Sequence, residues 1–345
     1  MTPDCSSDDR PPVIVTGATG FLGKPTTASL VEAGHMVRCL LRSTSDEQPL
    51  RTVVADRTGR SEAVETRRVD FRSADELTES MRGGQTLVHL AAGLSGSTST
   101  LFASGPIATR KLLHAAADAG IERVILISSL GVYEASGLKS GQEQTEDTPV
   151  DRNAPARDPY SYSKIVQERV AREVADERGL KLVVLRPGVI FGEGRPTISS
   201  RAGLTMGGLL IQMGGRQSMP LTYVENCGDA IARAVDRDEA TGETINILDD
   251  DLPTASGLVR MVRRLGRPVR RVWVPGPAVP ALCGLYHWYS RVSGGQLPPV
   301  LTAYRARSMW KPVRYSNRRA KSMLDWTPRV PMAEAIERTV QAERS

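Results

Sequence analysis

Val13-Ile14-Val15-Thr16-Gly17-Ala18-Thr19-Gly20-Phe21-Leu22-Gly23 is the stretch whose reading decides the fold. A short β-branched run ends in three glycines spaced three apart, and a helical pattern follows. The sequence therefore predicts a strand, a tight turn and a helix start. Gly17 permits the sharp turn, Gly20 puts no side chain between the backbone and a pyrophosphate, and Gly23 lets the helix lie close on the strand. The free N–H groups of the helix start would face the phosphates, and the dipole favours their charge. The spacing is G-x-x-G-x-x-G, not G-x-G-x-x-G, and a glycine triplet alone also fits a plain glycine-rich turn.

Outward from this turn, strands and helices alternate. A helix over Lys24–Ala33 closes at Gly34, and a strand follows over Met36–Leu41. Further strands are predicted over Arg67–Phe71, Thr86–Ala91, Val124–Ser128 and Leu182–Leu185, with helical pieces over Leu77–Met81 and Ile107–Ala119. A long helix starts at Pro159 with Asp158 as its N-cap and ends before Gly179. Such alternation predicts an α/β fold: a Rossmann-type doubly wound parallel sheet with helices on both faces and the glycine turn at its ligand-binding edge. The expected organisation is a disordered leader over 1–10 and a dinucleotide-binding domain over 11–190, with 222–248 returning to it. A smaller, mainly helical substrate-binding part is expected over 191–221 and 249–345.

The 345 residues suffice for one large domain or two smaller ones. Four scattered cysteines, Cys5, Cys39, Cys227 and Cys283, form no C-x-x-C pair, so neither a disulfide framework nor a metal site is expected. No signal pattern or membrane-spanning apolar run stands out, and a cytoplasmic location is expected. The net charge of +6 is unevenly spread. From Leu252 onward there are 17 Lys and Arg against 4 Asp and Glu; before it, 28 against 35. The basic part could attract an anionic substrate or lipid headgroups, or be an ordinary solvated surface; no motif supports nucleic acid.

Tyr160 and Lys164 are four apart, so both side chains lie on one face of the long helix, while Val166, Val170 and Val174 form a stripe toward the sheet. A nearby ammonium favours the phenolate and lowers the tyrosine pKa, which lets tyrosine pass a proton to a carbonyl or take one from an alcohol. Ser128 and Ser129 end a buried strand, where a hydroxyl can hydrogen-bond a substrate oxygen while charge builds. Taken singly, these features also fit an exposed helix pair and an ordinary strand end.

Their combination and order resemble the short-chain dehydrogenase/reductase superfamily, in its extended epimerase/dehydratase branch. The resemblance is most specific over Val13–Gly192. It implies Tyr160 as catalytic acid/base, Lys164 as its tuning and ribose-binding partner, and Ser129 as the catalytic serine. It also implies a cofactor cradle of Gly17, Thr19, Gly20, Phe21, Leu22, Arg42, Asp70, Phe71, Leu90, Ala91, Ala92, Pro187 and Val189, with Tyr160 and Lys164. Asp70 would contact the adenine, and Pro187-Gly188-Val189 the nicotinamide amide.

Departures from the branch narrow the reading. Leu41 and Arg42 stand where an acid would select NAD, so NADP(H) is favoured over NAD(H). Gly105 replaces an asparagine usual in relatives. Leu130 and Gly131 replace the Asp-Glu pair that sugar-nucleotide dehydratases need, and Val189 replaces an asparagine that epimerases use for a diphosphate. Leu221–Ile231 resembles the branch's returning strand and helix. The tail Tyr315–Pro328, with Pro298-Pro299-Val300-Leu301-Thr302, looks most like the 3β-hydroxysteroid dehydrogenase group.

The expected activity is ketone–alcohol interconversion on a lipophilic, steroid-like or polyketide-like substrate; nucleotide-sugar epimerase and non-catalytic dinucleotide binder are the alternatives. Val272–Tyr289 carries no formal charge if His287 is neutral, and holds Trp273, Leu282, Leu285, Tyr286 and Trp288. It reads as core, as pocket lining or as a peripheral membrane contact, with Pro275, Pro277 and Pro280 arguing against a long helix through its first half. A homodimer is left open.

Overall fold

A computed structural model describes residues 10–91, 93, 96–293 and 301–344. The glycine-rich stretch opens as a strand, β1 (Val13–Thr16), a turn, and a helix, α1 (Gly23–Glu32). Then come β2 (Val37–Leu41), α2 (Gln48–Thr58), β3 (Val64–Arg68), α3 (Ala74–Met81), β4 (Thr86–His89), α4 (Thr98–Phe102), α5 (Ala108–Asp118), β5 (Arg123–Ile127), α6 (Pro159–Arg178) and β6 (Lys181–Pro187). The later chain gives β7 (Val189–Phe191), β8 (Gly203–Met206), β9 (Leu209–Met213), β10 (Leu221–Tyr223), α7 (Val224–Asp236) and β11 (Thr244–Ile247). It ends with α8 (Ala255–Arg264), β12 (Arg270–Val274), α9 (Ala278–Val292), α10 (Ala303–Trp310), α11 (Arg318–Leu324) and α12 (Met332–Ala342).

Seven parallel strands form the main sheet in the order β11-β6-β5-β4-β1-β2-β3. In register, Val15 lies beside Cys39 on one side and Val88 on the other. The chain builds β2 and β3 on one side of β1 and then returns to place β4 on the other. That reversal opens a crevice at the carboxyl ends of β1 and β4. Alternate side chains feed two cores. Val13 and Val15 pack with Leu30, Val54 and Ile231, whereas Ile14 packs with Leu87, Leu113 and Val174. A further core joins Phe191 and Tyr223 to Leu258 of α8 and Ile336 of α12. A three-stranded sheet, β12-β9-β8, packs on α9 and α10 through Met213, Cys283 and Trp310.

Three local features differ from the sequence reading. Helix α2 was not anticipated, because only Leu50 and Val54 of it are buried; its signals were Pro49 near its start and Gly59 (φ 66°) at its end. Strand β3 runs over Val64–Arg68, ending two residues before Asp70, and its Glu65, Arg67 and Arg68 suit an edge strand with one partner. The helix expected from Ile107 is preceded by α4 and by a π-turn over Ala103–Ile107, which accommodates Pro106. On α6, Val170 and Val174 are buried, while Val166 is only half-buried. Residues 1–9 of the leader expected over 1–10 lie outside the described residues, as does Pro298-Pro299-Val300.

Two charged clusters fix the elements beside the crevice. Ser29 of α1 donates to buried Asp229 of α7 at 2.7 Å, and Arg57 of α2 donates to the same oxygen at 2.8 Å. Arg329 reaches the other oxygen at 3.2 Å. Farther along the sheet, Arg186 at the end of β6 grips Glu168 of α6 with two hydrogen bonds, Nε to Oε1 at 2.9 Å and Nη2 to Oε2 at 2.6 Å. The Arg186 guanidinium also stacks on Tyr133 at 4.5 Å from the ring centre. The Tyr133 hydroxyl in turn donates to Asn246 Oδ1 of β11 at 2.7 Å.

Glu168→Ala would leave a buried guanidinium unpaired, which typically costs about 3–5 kcal/mol. Urea unfolding should show a correspondingly lowered midpoint. Glu173→Ala, which breaks only exposed pairs with Arg110 and Arg169, should stay within about 1 kcal/mol of the parent. Equal effects of the two would deny the buried pair any special role.

Candidate active site

The crevice is a cleft of about 910 Å³. Its floor is the glycine turn. Gly17 has φ 78°, and a Cβ there would lie 2.9 Å from Ala91 N, so the turn presses on the loop after β4. A Cβ at Gly23 would come within 2.1 Å of Gly17 O, so the start of α1 folds directly onto the turn. These are the close approaches that a backbone cradle for a pyrophosphate needs, at the start of a helix whose dipole favours an anion. Ser128 adds to the lining a buried hydroxyl with no partner among the described residues. The cleft therefore fits a dinucleotide.

Gly17, Thr19, Gly20, Phe21, Leu22, Arg42, Phe71, Leu90, Ala91, Ser129, Tyr160, Lys164, Pro187 and Val189 all line this one cleft. Ala92 lies outside the described residues. Asp70 is not in the lining. Arg72 clamps its carboxylate with Nε and Nη2, each at 3.1 Å, and the hydrogen bonds from Arg72 hold the carboxyl below its usual range. Phe71, one residue on, faces the cleft instead.

The long helix α6 begins as its sequence requires. Asp158 Oδ1 accepts from Ser161 N at 2.9 Å, Pro159 occupies the first turn, and Gly179 closes the far end at φ 68°. Tyr160 and Lys164 therefore project from one face beside the end of β5. Ser129 caps the short turn after β5, its Oγ accepting from Gly131 N at 3.1 Å. Burial raises the Tyr160 phenol above its ordinary value; the neighbouring Ser129 hydroxyl opposes this, Asp158 adds to it, and the Arg195 charge opposes it.

Lys164 is held in place by two acceptors. Its Nζ donates to Ile127 O at 2.8 Å and to Gln167 Oε1 at 2.9 Å. Burial pushes the ammonium pKa down to about 8, with Glu168 pulling the other way. A polar chain continues behind it. Gln167 Nε2 donates to Thr109 Oγ1 at 2.8 Å, that hydroxyl meets His89 Nε2 at 2.9 Å, and His89 Nδ1 meets Thr16 Oγ1 at 2.8 Å. Burial, with the Lys164 charge, lowers the His89 pKa to about 3, so the ring is neutral. The chain fixes Lys164 without adding a charge. Gly105 faces this helix from the π-turn: a Cβ there would lie 3.2 Å from Ser163 Oγ, so an asparagine at this place would need Ser163 to move.

Arg195 was missed in the sequence. It follows β7 in the glycine-rich Gly192–Arg195 turn, lines the cleft, and stacks on Phe21 at 4.5 Å. Nothing in local periodicity marks it; only the fold brings it to Tyr160. The segment Val272–Tyr289, expected as core, pocket lining or peripheral membrane contact, contributes no residue to the cleft. It forms β12 and most of α9, with Pro280 in the first turn of that helix, and only Val279 and Cys283 within it are buried. Trp273 and Trp288 are exposed, so neither lines the site.

Residues 13–247 match the model of the NAD dependent epimerase/dehydratase family. Over 96% of this chain and 87% of its own length, the human sterol-4-alpha-carboxylate 3-dehydrogenase, decarboxylating, is 27% identical. The cinnamoyl-CoA reductase 1 of Petunia hybrida is 28% identical over 52% of this chain, and the match spans only 54% of that relative. Among solved structures, the UDP-glucuronic acid 4-epimerase from Bacillus cereus in complex with NAD superposes with a TM-score of 0.69. That superposition covers 96% of this chain and 98% of that one at 19% identity, a likeness of fold.

Removing the Arg195 cation takes away a charge that favours the Tyr160 phenolate. In Arg195→Met the rise of kcat/KM with pH for alcohol oxidation should move to higher pH than in the parent, measured in both at saturating cofactor. An unmoved profile would show that Arg195 does not act on Tyr160.

Proposed function

The chain belongs to the NAD dependent epimerase/dehydratase family and is an NAD(P)-dependent enzyme, and on that premise we propose an NADP(H)-preferring oxidoreductase that interconverts a ketone and a secondary alcohol on a lipophilic, polycyclic substrate. The observation that carries the reading is the meeting of Tyr160, Ser129 and Lys164 in one cleft beside the glycine turn. When bound, the nicotinamide supplies or accepts the hydride. Tyr160 gives its phenolic proton to the carbonyl oxygen in reduction and takes the alcohol proton in oxidation. Ser129 orients that oxygen by hydrogen bonding, and Lys164, fixed by Ile127 and Gln167, presents its ammonium to the same region.

The places after Ser129 hold buried Leu130 and Gly131, so no carboxylate pair stands ready to remove a carbon-bound proton. This favours simple redox chemistry over dehydration. The polycyclic substrate draws support from the relative aligned along nearly the whole chain, a sterol dehydrogenase by name. Preference for NADP(H) rests on Leu41 and exposed Arg42 at the end of β2. Arg68 braces the adjoining loop, donating to Ser43 O at 2.8 Å and Ser45 O at 3.1 Å. A guanidinium suits a 2′-phosphate that a carboxylate would repel. Nucleotide-sugar epimerisation is the second reading. Arg195 and Arg201 at the cleft could serve a diphosphate.

Tyr160→Phe should bind NADPH like the parent and lose at least about a hundredfold in turnover of a ketosteroid or aromatic polyketide ketone. Near-normal turnover would remove Tyr160 from proton transfer. Conversion of a UDP-sugar to its epimer without net cofactor use would favour the second reading.

Cofactor choice has its own test. Fluorescence titration of both reduced cofactors should show Arg42→Ala weakening NADPH several-fold and leaving NADH unchanged. Tighter NADH binding by the parent would refute the NADP(H) preference.

A further inference from the structure

Helix α9 has two faces. One buries Val279 and Cys283 against Met213, Ala306 and Trp310. The other leaves Leu282, Leu285, Trp288, Tyr289 and Val292 between 42% and 60% exposed. These five positions recur at intervals of three, three, one and three residues, so they form an apolar stripe facing away from the core. Val272 and Trp273 of β12 are 52% and 58% exposed as well. Scattered apolar residues on a surface need no explanation, but a whole helix face of them marks an interaction site.

The surrounding charge is of one sign. Between Leu252 and Leu324 the sequence has 14 Lys and Arg and no Asp or Glu. Arg260, Arg263 and Arg264 of α8 converge with Arg271 of β12 on a shallow cleft of about 310 Å³. Among the described residues none of the four forms an ion pair, and Arg271 donates only to the neutral Gln212 amide, at 2.8 Å. Guanidiniums gathered without a carboxylate repel one another and favour an external anion. Arg271 and exposed Trp273 stand two apart on β12, on the face where their neighbours in β9 are Leu210 and Gln212, so the basic cleft and this exposed tryptophan share one side of the strand. No helix among the described residues is long and apolar enough to cross a membrane.

We propose that α9 and β12 dock on the surface of an anionic phospholipid bilayer. The α9 stripe lies at the boundary between headgroups and acyl chains, and the arginine cleft takes lipid phosphates. Apolar burial and electrostatic attraction to anionic lipid add in such binding. A second copy of the chain is the poorer occupant, because a self-complementary contact would set this basic surface against itself. The placement suits a lipophilic substrate. Helix α9 packs on α10, and Met309 of α10 lines the catalytic cleft. The docking itself does not depend on which substrate the cleft takes.

Co-sedimentation of the full chain with sucrose-loaded vesicles tests it. Binding is expected to vesicles of phosphatidylcholine mixed with phosphatidylglycerol, to fall at least tenfold on phosphatidylcholine alone, and to weaken as salt rises. Trp288→Ser with Leu285→Ser, and separately Arg263→Glu with Arg264→Glu, should each lower anionic-vesicle binding at least tenfold. NADPH affinity measured in the same preparations should match the parent, which shows that the variants are folded. Vesicle binding unchanged in both double variants would overturn the proposal. So would a dimer in light scattering that Trp288→Ser with Leu285→Ser dissolves, since the stripe would then be covered by a second copy.

Discussion

Everything at the active site depends on the paired hydrogen bonds between Arg186 and Glu168. Tyr160, Lys164 and Glu168 follow one another at intervals of four along α6, so whatever fixes Glu168 fixes the rotation of the whole reactive face. Arg186 stands next to last in the adjacent strand and is followed by Pro187, which lines the cleft. The pair therefore sets the helix and the nicotinamide end of the cleft in one register. Its stacking on Tyr133, and the bond from Tyr133 to Asn246, extend the same register to the outermost strand. A buried ion pair is a poor source of net stability, because desolvation offsets attraction. Its value here is directional: two parallel bonds permit one helix position where apolar packing would permit several.

Held in that register, the reacting groups divide charge among themselves. The His89–Thr109–Gln167 chain orients Lys164 while staying neutral, and burial draws the Lys164 ammonium toward the middle of the pH range. Burial alone would make Tyr160 a weaker acid. Ser129 and Arg195 oppose that from two different loops. The result is a phenol whose acidity is set by three elements distant in sequence: the end of β5, the start of α6 and the turn after β7. A redox site that exchanges a proton in both directions needs this kind of balance more than it needs a single strong base.

The central part of this arrangement was legible in the sequence because local rules write it. A β-branched strand, three spaced glycines, an Asp-Pro helix start and a glycine stop are each decided within a few residues, and the turn and α6 lie where those signals put them. The less legible parts depend on distant partners. Helix α2 has only two buried side chains, and β3 is an edge strand whose charged residues hide its pleat. Arg195 has no motif, and its role appears only when a later turn folds over Phe21. The apolar run after Val272 was legible as unusual, with exposure one of three readings, since composition alone does not say which side of a helix faces the core. Asp70 was assigned by resemblance, and its carboxylate is held by its neighbour Arg72.

The convergence on Asp229 bears on how the protein is made. Helix α1 reaches it from 200 residues earlier in the chain, and Arg329 comes to Glu32 from 297 residues later. The first thirty residues therefore emerge from the ribosome long before the segments that cover them. A nascent chain can form β1 and its glycine turn, but α1 has no α7 to lie against until the chain is 200 residues longer. Such non-local closure slows folding and leaves an apolar helix face uncovered meanwhile. The segment most characteristic of the protein in sequence is thus among the last to be completed in structure.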